Sequence, residues 1–269
     1  MNFEVALSCE ASVRDAGSVP ATIGVLDGRV VVGLTQDELA RLADPVRQAA
    51  KLSARDLGVA LAKGTDGATT VAGTITVAEH AGINVMATGG LGGVHRDATE
   101  SFDESADLTT LSRRSVLVVA SGVKSILDVG ATLERLDTLG VPVVGFGTRQ
   151  FPGFYLRDSG FELDWSVASA EEAAVAFLCH REMMPTGFLV AHPVAADKEL
   201  DRHLHDEALE SALIKAKFDG VSGKAVTPTL LAEFARHTAG LSVQVNRDLV
   251  VANAGVAGAI AASLARAYA

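Results

Sequence analysis

Short apolar segments separated by helical patterns constrain the fold of this chain most. The clearest segment, residues 115–120, is continuously apolar or β-branched, as expected for a strand that is buried on both faces. Further strands are predicted at 141–146 and Phe188–Ala191, and helices at 124–139 and Ala170–Met183. Because a strand of this kind needs helices on both sides of its sheet, the pattern predicts an α/β fold in α/β/α layers.

Residues 20–34 predict a β-hairpin, because the Asp27-Gly28 pair separates two β-rich runs. An antiparallel hairpin added to parallel strands predicts a central mixed β-sheet. No linker and no change in composition divides the chain, so we expect one domain over residues 1–269.

Local signals predict two further elements close to the hairpin. Thr35 and Glu38 have the spacing of a capping box, which predicts that a helix begins after Thr35. Residues 59–62 predict a short strand. These elements extend the alternation of strands and helices toward the N-terminal end of the chain.

Composition and charge exclude several classes of function. The 269 residues carry a net charge of −10, whereas general nucleic-acid binding needs a basic face. Cys9 and Cys179 lie far apart, which is typical of a reduced, cytoplasmic environment, and the first residues lack a signal-peptide pattern. Asn253 and Arg266 interrupt the apolar stretch 249–269, which favours a buried helix over a membrane anchor. We expect a cytoplasmic protein that binds neither nucleic acid nor membranes.

A glycine-rich run indicates a site for an anion. Four glycines fall within residues 89–93, and such backbone can approach a ligand closely and line a concave anion site with N–H groups. Thr88 adds a hydroxyl group, and His95 and Arg96 add charge. Phosphate suits this combination, although a tight structural turn would produce the same pattern.

Asp103 and Asp107 form a close pair of carboxylates. A spacing of four places both on one face if this stretch is helical. A carboxylate that binds Mg²⁺ or Mn²⁺ usually leaves several coordination positions to water. A solvated acidic face is the alternative, since Glu100 and Glu104 lie nearby.

Lys124 follows the predicted buried strand 115–120 and the turn 121–122. Ligand sites in α/β sheets lie beyond the carboxyl ends of strands. A lysine beside apolar walls there loses hydration, its pKa falls, and its neutral amine can form an imine with a carbonyl carbon. The alternative is an exposed lysine in the first turn of a helix, where it would oppose the helix dipole.

Several long motifs in a fixed order resemble the pseudouridine-5′-phosphate glycosidase family, which includes indigoidine synthase A-like proteins. The resemblance covers nearly the whole chain. Its motifs are residues 19–28, 62–64, 69–74, 87–96, 103–108, 122–128, 141–148, 151–154 and 223–228. It implies an α/β/α fold, a homotrimer, a divalent metal (usually Mn²⁺) and a small-molecule substrate. The implied reaction is reversible cleavage of pseudouridine 5′-phosphate to uracil and ribose 5-phosphate.

The same resemblance implies roles for individual residues. The imine-forming lysine of the family falls on Lys124, and its metal carboxylate falls on Asp103. Asp107 and Asn246 complete the implied catalytic residues. The implied substrate contacts are Lys51, Val71, Ser105, Ala106 and Asp107, with Thr88 and His95 at the phosphate end.

The chain also departs from the family pattern. The proton-donor glutamate of the family belongs to a segment that the resemblance places ahead of Met1. His192-Pro193 replaces an Asn-Pro pair, and Ala239 replaces a glycine. These departures leave an alternative open: a catalytically impaired protein that binds sugar phosphates or assists pigment biosynthesis.

Overall fold

A computed structural model describes residues 2–220 and 226–267 of the chain. Its strands are β1 (Ile23–Leu26), β2 (Arg29–Val32), β3 (Ala50–Leu52), β4 (Gly67–Thr69), β5 (Val85–Ala87), β6 (Leu117–Ala120), β7 (Val143–Phe146), β8 (Ser166–Val167) and β9 (Phe188–Ala191). Its α-helices are α1 (Asn2–Asp15), α2 (Gln36–Ala43), α3 (Leu57–Ala62), α4 (Val71–His80), α5 (Ala98–Ser101), α6 (Ala106–Leu111), α7 (Val129–Thr138), α8 (Ala170–Met183), α9 (Arg202–Phe218), α10 (Val226–His237) and α11 (Leu241–Ala267). Residues 223–225 of the family motif 223–228 lie outside the described residues.

The central sheet has the strand order β5-β6-β9-β7-β8, and all its pairs are parallel. Strands β6 and β9 are buried on both faces. Val118 and Leu189 face a cluster that includes side chains of α6 and α7, whereas Val119 and Val190 face α8 and α11. The predicted α/β/α layers are therefore confirmed.

The antiparallel hairpin belongs to a second, smaller sheet rather than to the central one. This sheet has the order β2-β1-β4-β3, in which β1 pairs antiparallel with β2 and β4, and β3 pairs parallel with β4. The prediction of a mixed central sheet is corrected in this respect, because the two kinds of pairing occur in separate sheets. Most of β2 is exposed, as suits the edge of a small sheet but not a central layer.

The hairpin turn itself has the predicted chemistry. Asp27 and Gly28 both have positive φ, 49° and 71°, which is the geometry of a type I′ turn. The capping box is also present: Thr35 N–H donates to Glu38 Oε2 at 2.8 Å, and Glu38 N–H donates to Thr35 Oγ1 at 3.3 Å. Both local predictions are confirmed.

Two other local predictions are wrong. The stretch 59–62 belongs to helix α3, in which Leu57 and Ala60 are buried at helical spacing while Val59 is exposed. The helix predicted from Lys124 begins instead at Val129. Its N-cap is Asp128, whose side chain accepts a hydrogen bond from Ala131 N–H at 2.9 Å. Lys124 therefore lies in the loop between β6 and α7.

Among the described residues, α11 is the single helix long and apolar enough to cross a membrane. It packs instead against α1, α8 and the central sheet at β5 and β6. Ile260 is fully buried there. The predicted buried helix at the C-terminal end is therefore present, although it begins at Leu241 rather than at Leu249.

Candidate active site

The glycine-rich loop, residues 88–93, runs beside the segment that follows β6. Thr88 N–H donates to Val119 O at 3.0 Å, and Leu91 N–H donates to Gly122 O at 2.9 Å. In return, Lys124 N–H donates to Leu91 O at 3.2 Å. Several of the N–H groups expected to surround an anion are thus bonded within the protein. The phosphate prediction then depends on the Thr88 and His95 side chains.

Asp107 connects this loop to two helices. Its buried carboxylate accepts hydrogen bonds from Gly92 N–H and Ala72 N–H, each at 2.9 Å. Ser105 is the N-cap of α6, and its Oγ accepts from Asp107 N–H at 3.2 Å. A carboxylate with two backbone donors is held in one position.

Lys124, Asp107 and Lys51 interact electrostatically. Burial lowers the pKa of the Lys124 ammonium, the Asp107 carboxylate opposes this change, and the positive charge of Lys51 adds to it. Because burial dominates, a larger fraction of Lys124 is neutral than for a lysine in water. A neutral, half-buried amine beside a fixed carboxylate is suited to nucleophilic addition at carbon.

Asp103 lies outside α6, so the condition for a helical face shared with Asp107 is not met. Its Oδ2 is 3.8 Å from His95 Nε2, and its peptide oxygen accepts from His95 N–H at 3.0 Å. The Asp103 side chain is 34% exposed. The described residues contain no cluster of three or more metal-binding side chains around it. One partly exposed carboxylate of this kind fits a largely hydrated divalent ion.

The remaining predicted residues lie on the elements around Asp107. Val71 begins α4 and Ala106 begins α6, while Lys51 is exposed on β3. Asn246, on α11, approaches the glycine-rich loop, since its Oδ1 lies 3.0 Å from the point where a Cβ on Gly89 would be. Elements β3, α4, α6 and α11 thus bring these residues to the glycine-rich loop at the carboxyl end of β6.

Sequence reasoning missed Asn253 as part of this site. It is fully buried in α11, and its amide nitrogen donates to Thr88 O at 2.8 Å and to Ser121 Oγ at 3.1 Å. The signal available in the sequence was a polar residue within an apolar helix. By itself, such a residue argues only against a membrane anchor.

A cavity of about 700 Å³ lies beside β5, one of the two edge strands of the central sheet. Residues of α1, α4, β5 and α11 line it, and most of them are apolar. Of the predicted site residues, Val71 and Thr88 contribute to the lining, whereas Lys124 and Asp107 do not. The cavity therefore adjoins the site without containing its reactive amine.

The sequence matches the family described as indigoidine synthase A like protein over residues 1–263. The chain belongs to this family. Two curated relatives are named pseudouridine-5′-phosphate glycosidase. The relative from Salinispora tropica is 58% identical over 268 residues, which are 98% of this chain and 82% of the relative. The relative from Streptomyces griseus is 52% identical, again over 98% of this chain and 82% of the relative.

Two solved structures share the fold. One is the prealnumycin C-glycosynthase AlnA in complex with ribulose 5-phosphate, with a TM-score of 0.92 and 39% identity over 98% of this chain and 87% of that one. Another is an indigoidine synthase A-like protein from Thermotoga maritima, with a TM-score of 0.87 and 35% identity over 96% of this chain and 85% of that one. The family assignment thus agrees in sequence and in fold.

Proposed function

We propose that this protein is a lyase that reversibly cleaves the carbon–carbon glycosidic bond of pseudouridine 5′-phosphate, giving uracil and ribose 5-phosphate. Relatives more than 50% identical carry the name of this activity. The observation that carries the proposal is the Lys124 amine, whose pKa burial lowers, next to the fixed carboxylate of Asp107. A C-glycosidic bond has no leaving oxygen to protonate, so the chemistry of two carboxylates alone does not suffice.

In the proposed reaction, the neutral amine of Lys124 adds to C1′ of the ribose while the bond from C1′ to O4′ breaks. O4′ takes up a proton and becomes a hydroxyl group. A proton then reaches C5 of uracil, the C1′–C5 bond breaks, and the nitrogen lone pair forms the C1′=N imine. Water hydrolyses this imine, which releases ribose 5-phosphate and restores the amine.

Asp107 is the proposed acid and base for opening the ring at O4′. Its position between the Gly92 and Ala72 N–H groups supports a fixed role beside the sugar. Asn246, exposed next to the glycine-rich loop, is proposed to orient the substrate. No residue of 1–269 is proposed as the donor of the C5 proton, because the family resemblance gives this role to a glutamate ahead of Met1.

Binding is proposed to involve both ends of the substrate. Thr88 and His95 would contact the phosphate, and Lys51 and Val71 would contact the substrate beside α4. Ser105 and Ala106 would contact it at the first turn of α6. These side chains are exposed or half-buried, and they surround the buried carboxylate of Asp107. Such a lining is consistent with a small polar substrate.

Asp103 is the proposed metal ligand, and Mn²⁺ or another divalent cation the proposed ion. When bound, such an ion supplies positive charge and ordered water near the phosphate end. The partly exposed carboxylate of Asp103, close to His95, supports this proposal. The protein is further proposed to be a homotrimer and to act in the cytoplasm. Sedimentation would test the oligomeric state.

The deciding experiment measures uracil release from pseudouridine 5′-phosphate, with and without Mn²⁺. It compares this chain with one extended upstream in its own reading frame. Borohydride is then added in the presence of ribose 5-phosphate, and the expected result is a reduced sugar adduct on Lys124. An adduct on another residue, or none in either protein, would overturn the imine assignment.

A sugar-phosphate-binding or pigment-biosynthesis accessory protein is the second candidate. It is favoured by the similarity to a C-glycosynthase solved in complex with ribulose 5-phosphate. Calorimetry with ribose 5-phosphate separates the two. Binding without uracil release in either protein would support the accessory role.

A further inference from the structure

Asn253 occupies the point where α11 crosses the carboxyl ends of the central strands. Its side chain is fully buried. The amide nitrogen donates to Thr88 O at 2.8 Å, and it lies 3.3 Å from Gly89 O and 3.1 Å from Ser121 Oγ. One side chain therefore connects the glycine-rich loop to the end of β6.

The orientation of this amide follows from its partners. The carbonyl groups of Thr88 and Gly89 can only accept hydrogen bonds, so the atom that faces them is the amide nitrogen. The amide oxygen then faces His192, whose Nδ1 is 2.8 Å away. Because an amide oxygen can only accept, His192 must carry its hydrogen on Nδ1.

His192 is a second point of attachment at the same edge of the sheet. It directly follows β9, and its peptide N–H donates to Ala120 O at 2.9 Å. Its ring packs edge-on against Phe146, with the centroids 5.6 Å apart. Burial lowers the pKa of the imidazole, so the ring is neutral near pH 7 and has a lone pair on Nε2.

The loop that Asn253 holds also positions the reactive groups. Ser121 N–H donates to Gly89 O, and Lys124 N–H donates to Leu91 O. Gly92 N–H fixes the Asp107 carboxylate. Any displacement of the loop would therefore move the lysine and the carboxylate together.

We propose that Asn253 is a positioning residue of the site. It holds the glycine-rich loop against the end of β6 through its amide nitrogen and holds His192 in the Nδ1–H form through its amide oxygen. The effect on turnover rests on the proposed function, whereas the effects on the loop and on the His192 tautomer do not.

The first test does not depend on activity. In ¹⁵N-histidine NMR spectra of the unmodified protein, His192 should be neutral with its proton on Nδ1. In Asn253→Ala this preference should be lost, because the acceptor is gone. A proton on Nε2 in the unmodified protein would overturn the assignment, even if no variant of Asn253 folds.

The second test measures the loop. Hydrogen exchange at the Leu91 and Ser121 amides should be about tenfold faster in Asn253→Ala and in Asn253→Asp, as expected when a buried hydrogen bond is lost. Ser263→Ala is the matched control, because Ser263 lies on the same helix and its hydroxyl group bonds to Ala259 O and Arg266 rather than to the glycine-rich loop. Unchanged exchange in both Asn253 variants would contradict the proposal.

The third test measures turnover. Asn253→Asp keeps the shape of the side chain but replaces the donor to Thr88 O with an oxygen. Its kcat for uracil release should fall at least about tenfold while KM changes less, because misplaced reactive groups affect the chemical step. Unchanged kcat and KM in this variant would contradict the role of Asn253 as a positioning residue. If neither the unmodified protein nor its upstream-extended form releases uracil, the proposed function fails, while the first two tests still decide the role of Asn253.

Discussion

The carboxylate of Asp107 accepts a hydrogen bond from Gly92 N–H at 2.9 Å, which ties the start of α6 to the glycine-rich loop. The other carboxylate oxygen accepts from Ala72 N–H on α4, also at 2.9 Å. Both oxygens are thus used by backbone donors on different elements. The proposed acid and base is held by the loop that lies beside Lys124.

Gly92→Ala should disrupt this arrangement. A Cβ at position 92 would lie 2.7 Å from Asp107 Oδ2 and closer still to Ser105 Oγ. Because both atoms are held by the first turn of α6, the carboxylate must move, and kcat for uracil release should fall about tenfold to a hundredfold. Steady-state kinetics measure this loss.

Gly58→Ala is the control for that substitution. Gly58 lies in α3, and an added Cβ would meet nothing within 4 Å. Alanine is favoured over glycine in a helix, so Tm should stay the same or rise slightly, and kcat should not change. Equal kcat values for both variants would contradict the role of the close contact at Gly92.

Local sequence chemistry predicted some elements well. The Asp27-Gly28 turn and the Thr35–Glu38 capping box depend on residues within a few positions of each other, and both are present. The buried strand before Ser121 was equally evident, because it is continuously apolar. Such features need no knowledge of the rest of the chain.

The site was harder to predict because tertiary contacts determine it. Lys124 lies in a loop, since Asp128 rather than a residue near 124 supplies the N-cap of α7. Asp103 and Asp107 are separated by the start of α6. The partners of Asn253 lie more than 60 residues away in sequence, so its role could not follow from local spacing.

Lys124→Met should abolish turnover and stabilise the fold at neutral pH. Without the amine no imine forms, and kcat should fall at least about a thousandfold. Burial lowers the pKa of Lys124, so between that pKa and its ordinary value the unfolded chain binds the extra proton and stability rises with pH. Replacing the lysine with methionine removes this loss of stability at lower pH.

Thermal unfolding as a function of pH tests the second effect. The Tm of Lys124→Met should exceed that of the unmodified protein at pH 7, and the difference should shrink as the pH rises toward 10. Lys63→Met is the control, because Lys63 is exposed after α3 and should show no such trend. A lower Tm for Lys124→Met at every pH would contradict the burial argument.

Lys51→Met should move the pH dependence of the reaction. The positive charge of Lys51 helps to lower the pKa of Lys124, so its removal should raise that pKa. The rising limb of kcat/KM against pH, which reports the neutral amine, should shift to higher pH. Because Lys51 is also a proposed substrate contact, the position of the limb is the informative quantity. A limb that stays in place would show that the two charges do not interact.

Cys9 and Cys179 should differ strongly in reactivity. Burial, followed by the nearby charge of Glu10, raises the pKa of the Cys9 thiol to about 11, whereas Cys179 is exposed on α8. At pH 8 a thiol with that pKa is ionised in about one molecule in a thousand, and the thiolate is the reactive form. Iodoacetamide at pH 8 should therefore modify Cys179 first, and mass spectrometry of peptides would locate the adduct. In Cys179→Ser, labelling should become appreciable only as the pH approaches 11, and rapid modification of Cys9 at pH 8 would show that α1 does not shield the thiol.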